Sequence, residues 1–181
     1  MDRDKLEKAV RMVLEGIGER PDREGLKETP RRVAEMYAEI FGGIDKPLRL
    51  KSGFGEPLGP GDTVEIRDIG FYSMCEHHLL PFFGTVDVLY LPRDNRVAGF
   101  SSFAELVDTA ARRPQIQERL TATIADVIMS DLQPHGVMVV VRARQLCASM
   151  RGAHKRELRT VTEAVRGSVG EALAARFRRG P

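Results

Sequence analysis

Cysteine is scarce in this chain of 181 residues, occurring only as Cys75 and Cys147. A scaffold stapled by several disulfides is therefore excluded. No stretch approaches the roughly 18 consecutive apolar residues that a membrane-spanning helix needs, and the opening M-D-R-D-K is no secretory signal. The expectation is a cytoplasmic protein with no membrane partner. An excess of one charge is missing too: 28 Lys and Arg stand against 26 Asp and Glu, a formal net charge of +2. That total gives no footprint for nucleic acid. Internal repeats and low-complexity tracts are absent as well.

What is present is dense in one place. Ser73 to Phe82 reads S-M-C-E-H-H-L-L-P-F, so a thiol, a carboxyl and two imidazoles fall within four residues at Cys75, Glu76, His77 and His78. A lone Cys or His usually belongs to a core or a loop. This density is not what a core needs. A thiolate and a neutral imidazole three residues apart in a tight turn can hold one zinc ion, which leaves the adjacent His77 for proton transfer. Cys147 lies in a second unusual stretch, Q-L-C-A-S-M-R-G, from Gln145 to Gly152. Cys75, His78 and Cys147 make a Cys2His set with one vacancy, the ligand count of a catalytic zinc rather than a structural one.

The basic residues gather late, at Arg151, Lys155, Arg156, Arg159, Arg166, Arg176, Arg178 and Arg179. They read as a solvated face or, beside a site, as a meeting place for an anionic substrate. His135 sits at an expected helix end, and His154 in an expected surface loop.

Along the chain, Leu6, Val10, Val13, Leu14 and Ile17 recur at helical spacing, and a second helix is expected to open at Thr29-Pro30 with Thr29 as its cap. A Gly- and Pro-rich stretch including Pro47, Pro57 and Pro60 reads as a linker. The predicted organisation is an N-terminal helical arm with its linker over residues 1–60 and a main domain over 61–181. Strands are expected at Thr63–Tyr72, Phe83–Leu91, Val137–Val141 and Thr160–Val165. Two helices lie between the second and third of these, the first introduced by a Ser102–Glu105 capping box. A short helix closes the chain. The simplest packing is α+β: an antiparallel four-stranded sheet with both central helices on one face, the turns carrying Cys75 and Cys147 meeting at one end.

The chain resembles the GTP cyclohydrolase I family. The resemblance rests on G-L-K-E-T-P-R-R-V-A-E-M-Y, S-M-C-E-H-H-L-L-P-F-F-G, R-R-P-Q-I-Q-E-R-L-T, and C-A-S-M-R-G followed by R-T-V-T. It implies the tunnelling fold and a toroidal homo-oligomer, usually a decamer, with active sites shared between neighbours. It makes Cys75, His78 and Cys147 zinc ligands and His77 the proton-transfer group. Glu118 would hold the guanine through its N–H edge with Gln117 beside it, Ser101 would also bind substrate, and Arg151 would face the phosphates. The implied reaction is hydrolytic attack at C8 of the guanine ring, with imidazole opening and formate release, leading from GTP to the pterin of folate synthesis. Four positions depart from the family pattern. Gln145 stands where the family has His, Ser102 and Glu105 replace cations directed at the triphosphate, and Asp87 replaces a strand His. Two enzymatic readings follow, a GTP cyclohydrolase and a paralogue acting on a guanine compound without triphosphate that stops at a ring-opened product. A non-catalytic zinc protein that binds purines is the third.

Overall fold

The computed structural model describes residues 1–55, 59 and 61–179 of the chain. Helix α1 (Arg3–Gly16) begins where the Asp2 carboxylate accepts the Lys5 N–H at 2.9 Å, pairing one of the orphan donors of the first turn. Its stripe of Leu6, Val10 and Leu14 is half-buried and packs on α2 (Thr29–Ile40), whereas Val13 and Ile17 stay exposed. Thr29 is not the cap. It lies inside the helix, Glu28 precedes it without a side-chain cap bond, and Pro30 takes the first turn, where no N–H is missed. The arm is fastened at Gly43, whose N–H donates to the Arg112 carbonyl at 2.9 Å and whose carbonyl accepts from the Arg113 guanidinium. A Cβ at residue 43 would collide with the Thr109 and Arg112 carbonyls, so only glycine permits this approach.

Pro57 and Pro60 of the predicted linker, and with them the boundary drawn at residue 60, lie outside the described residues. Within the linker, β1 (Ser52–Gly55) pairs antiparallel with β4 (Arg96–Ala98).

The main sheet contains β2 (Val64–Cys75), β3 (Pro81–Leu91), β5 (Pro114–Gln115), β6 (Gly136–Gln145) and β7 (Thr160–Gly167), in the order β5-β2-β3-β6-β7. Four of them are antiparallel neighbours, but β5 runs parallel to β2 through Met74–Pro114 and Cys75–Gln115. The expected four-stranded antiparallel sheet is therefore a five-stranded mixed one. Two residues are too few to leave a periodic trace, and Pro114 reads in sequence as a break.

As predicted, α3 (Phe100–Ala111) and α4 (Gln117–Leu132) share one face of the sheet. Val86, Val88 and Tyr90 of β3 and Val137, Val139 and Val141 of β6 form the main core with Phe103, Leu106, Leu120, Ile124 and Ile128. The alternate residues Leu89, Met138 and Val140 face the other way, onto Ala174 and Phe177 of α6 (Glu171–Arg179). Thus β6 is buried on both faces, as its unbroken apolar run requires. Each fully buried large side chain stabilises by about 1.5–3 kcal/mol.

The Ser102–Glu105 capping box does not form. Gly99 is the N-cap of α3 and Ser102 lies three residues in. Its hydroxyl instead accepts the Lys51 N–H at 2.8 Å, while Glu105 meets Lys51 Nζ at 3.2 Å. Both side chains thus tie α3 to the segment before β1.

Asp87 is 4% exposed and lies on the α6 face of the sheet. It accepts the N–H of Asp68 at 2.8 Å, at a β2 bulge where Asp68 has φ 58°, and it pairs with the Arg142 guanidinium. Arg142 donates in turn to the Arg178 carbonyl, and Arg67 to the Phe177 carbonyl, with its guanidinium 4.4 Å from the Phe177 ring centre. Two carbonyls at the C-terminal end of α6 are thereby satisfied by cations.

Candidate metal centre

The β2–β3 connection is five residues long, 76–80. The Leu79 N–H returns to the Cys75 carbonyl at 2.8 Å and the Cys75 N–H donates to Leu80 at 2.9 Å, with Leu79 held at φ 50°. Cys75 thus ends a strand while His78 sits in a closed turn above it. The second cysteine comes from α5 (Leu146–Ser149), a single turn that leaves the end of β6 and is too short to show in the sequence. Antiparallel pairing of β2 with β3 and of β3 with β6 brings the two segments to the same end of the sheet. One ligand atom from each of Cys75, His78 and Cys147 lies within 4.8 Å of the others.

This donor set fits zinc. Sulfur at about 2.3 Å and nitrogen at about 2.0 Å from one ion place tetrahedral ligands roughly 3.5–4 Å apart, so the separation needs only a small contraction. Cys75 is buried, Cys147 half-buried and His78 exposed, which leaves the vacant side of the group toward solvent. Burial pushes the Cys147 thiol above its ordinary pKa, the neighbouring Cys75 adds to this, and Arg151 opposes it. A bound cation would reverse the sign, since thiols ligate as thiolates.

His77 projects outward beside the group, its side chain 66% exposed, with Nδ1 4.0 Å from Cys75 Sγ and Nε2 3.9 Å from Glu76 Oε1. Glu76 is gripped at both oxygens by Arg119 of α4, at 2.6 and 3.1 Å. That fork holds the Glu76 carboxyl below the usual carboxylate range. Arg119 lies within the R-R-P-Q-I-Q-E-R-L-T stretch, but nothing in the sequence marks its pairing with Glu76, 43 residues away along the chain.

The remaining predicted residues are distributed as follows. Glu118 and Ser101 are exposed in the first turns of α4 and α3, and Arg151 is exposed just after α5, near enough to Cys147 to bias its thiol. Gln117 is 3% exposed and its amide is fully engaged. Its Nε2 donates to the Val141 and Thr160 carbonyls at 3.0 and 3.2 Å, while its Oε1 accepts from Gln145 at 2.9 Å and Thr160 at 2.5 Å. No donor or acceptor is left over for a ligand. Asp87 lies under α6, in the ion pair described above, rather than among the metal donors.

Of the late basic residues, Arg166, Arg176 and Arg178 are spent on Asp126, Glu65 and the Glu163–Glu171 pair. Arg156 lines a cavity of about 550 Å³ with Arg144, His154, Phe83 and residues of the Cys147 turn. A second cavity, about 460 Å³ between α2 and the β2–β3 hairpin, is lined by Met36, Tyr72 and Arg112 and holds none of the metal donors.

Two thiols and an imidazole with an open side, flanked by a second imidazole, form a group that could hold a metal ion on an α+β scaffold. The sequence profile of the GTP cyclohydrolase I family matches residues 6–179. Relatives named GTP cyclohydrolase 1 include one from Brevibacillus brevis, 53% identical over 97% of this chain and 94% of its own length. Another from Geobacillus kaustophilus is 55% identical over 90% and 86%, and a third from Clostridioides difficile is 51% identical over 97% and 93%. The chain belongs to the GTP cyclohydrolase I family.

Proposed function

We propose that this protein is a zinc-dependent GTP cyclohydrolase, a hydrolase that opens the imidazole ring of GTP and releases C8 as formate. The observation that carries the reading is the Cys75–His78–Cys147 group beside His77, in a chain whose relatives of like length bear the name GTP cyclohydrolase 1.

Cys75, His78 and Cys147 would hold the ion. Zinc, when bound, supplies a Lewis acid that lowers the pKa of water for attack at C8. His77 Nε2, exposed and next to Glu76, takes and returns the protons of ring opening. Glu118, exposed on the first turn of α4, accepts hydrogen bonds from the guanine N–H edge. Arg151 meets the phosphates, and Arg156 and Arg144 in the cavity beside the Cys147 turn add cations on the same segment. Ser101 contributes a hydroxyl at the start of α3. The carboxylate of Glu105 does not stand alone, because Lys51 faces it. No observation favours a guanine compound without triphosphate.

The protein works as a toroidal homo-oligomer. The apolar surface of Met12 and Val13 on α1 and Ile17 just after it, with Met36 and Tyr72 around the second cavity, is what such an assembly would cover. Among the described residues no helix is long and apolar enough to cross a membrane.

The test is zinc-loaded protein with GTP, read by formate and by pterin fluorescence after oxidation. Turnover is expected, and His77→Ala should lower it about 10²–10⁴-fold while zinc remains bound. Chelation should abolish formate release and added zinc should restore it. Formate release that survives complete removal of the metal would overturn the reading.

A further inference from the structure

The two segments that bear the metal donors are far apart in sequence and do not pair directly; β3 lies between them. Each is tied separately to the first turn of α4. On one side Gln117 takes the Gln145 amide at the end of β6, two residues before Cys147. On the other side Arg119 forks onto Glu76, next to Cys75, and the Glu76 N–H donates to the Gln115 carbonyl at 3.0 Å.

The orientation of the first tie is determined by its surroundings. Gln117 Nε2 faces two carbonyls, of Val141 and Thr160, which accept only. Its Oε1 must therefore face Gln145, and Gln145 must present its NH2. Thr160 adds its hydroxyl to the same oxygen from β7, and Thr121, one turn further along α4, bonds the Thr162 hydroxyl at 2.6 Å. The amide is buried and saturated, so it has one geometry.

We propose that the first turn of α4 is the frame that fixes the two metal-bearing segments relative to each other. In this arrangement Gln145 and Gln117 are positioning residues for Cys147, and Glu76 and Arg119 are positioning residues for the Cys75–His78 turn. Gln145 replaces acid–base capacity with a fixed donor: its task is to hold β6 where it releases Cys147. Glu118 lies between the two ties, so the proposed guanine contact and the metal donors share one rigid element. The proposal rests on the metal reading above.

The experiment is cobalt(II) titration of the intact protein, read by the thiolate charge-transfer and d–d bands, with zinc affinity from competition against a chromophoric chelator. The wild type should bind one ion per chain with a tetrahedral spectrum. Gln145→Leu, which keeps the size and removes the donor, should weaken zinc binding about tenfold and shift the d–d band. Gln145→His, whose ring N–H can donate to the same oxygen, should restore both. Arg119→Leu should shift the band from the other side. If Gln145→Leu does not fold, Thr160→Val removes the second donor to Gln117 Oε1 and should move the same band. Wild-type spectrum and affinity in Gln145→Leu, Thr160→Val and Arg119→Leu alike overturn the frame and leave the metal site standing. Failure of the wild type to bind cobalt or zinc overturns both.

Discussion

Asp87 offers a sharp test, because the structure gives its carboxylate work on the face of the sheet away from the metal donors. Its side chain is 6% exposed and that of Arg142 34%. Replacing Asp87 by Leu leaves the Asp68 N–H without its acceptor at a bulge in the left-handed region and strands the Arg142 guanidinium. Breaking a buried ion pair from one side costs roughly 3–5 kcal/mol. Arg142 regains some water through its exposed third, so the lower end, about 3 kcal/mol, is expected. Asp87→Asn keeps an acceptor for Asp68 and loses the charge, for about half that cost. In a chain of this size the Leu variant should melt roughly 6–12 °C lower. The assay is thermal melting by circular dichroism at fixed protein and zinc concentration, beside zinc affinity by chelator competition. A lower Tm with unchanged zinc affinity is expected, since Asp87 faces α6. An unchanged Tm with weakened zinc binding would refute the argument.

Glu65 supplies a pH-dependent counterpart. Burial raises its pKa, but Arg67 at 2.7 Å and Arg176 at 3.0 Å outweigh that and hold it below the ordinary carboxylate value. A depressed folded-state pKa stabilises above the unfolded value and is lost as pH falls through the folded one. Glu65→Gln should therefore be less stable than wild type at pH 7, with the two converging in acid, as urea midpoints across pH 3–7 would reveal; a constant gap would contradict this. Gly84→Ala tests the sheet itself. A Cβ there would overlap the Arg142 carbonyl and the Ala143 Cα, so β3 and β6 must part. A loss of at least ~2 kcal/mol is expected in denaturant unfolding, and a neutral substitution would show the approach to be looser than described.

The elements readable in the sequence were those with long, single-faced patterns. The stripe of α1, the alternation of β3 and the apolar run of β6 each report a local period set by one buried face. Short elements were not legible: β1, β4, β5 and α5 span two to four residues, too few for a period to repeat often enough to show. Ser102 and Glu105 carried a true local signal, the capping spacing, which the tertiary structure overrode by capping α3 at Gly99 and giving both side chains to Lys51. The metal donors were legible because Cys75 and His78 are neighbours in sequence and Cys147 is the single remaining cysteine.

The sequence by itself therefore determined which three residues could form a metal group, the class of chemistry and the α+β order of elements, since residue type and short-range spacing carry these. The tertiary structure alone decided which polar residues are buried in the fold and which stay exposed beside the metal group. Gln117, beside Glu118 in sequence, points into the core while Glu118 points out, because successive residues on a helix turn by about 100°. Asp87, one residue from the core valine Val86, falls on the other face of the sheet, because strand side chains alternate. Arg119 finds Glu76 across 43 residues, through a contact created only when the helix packs on the sheet.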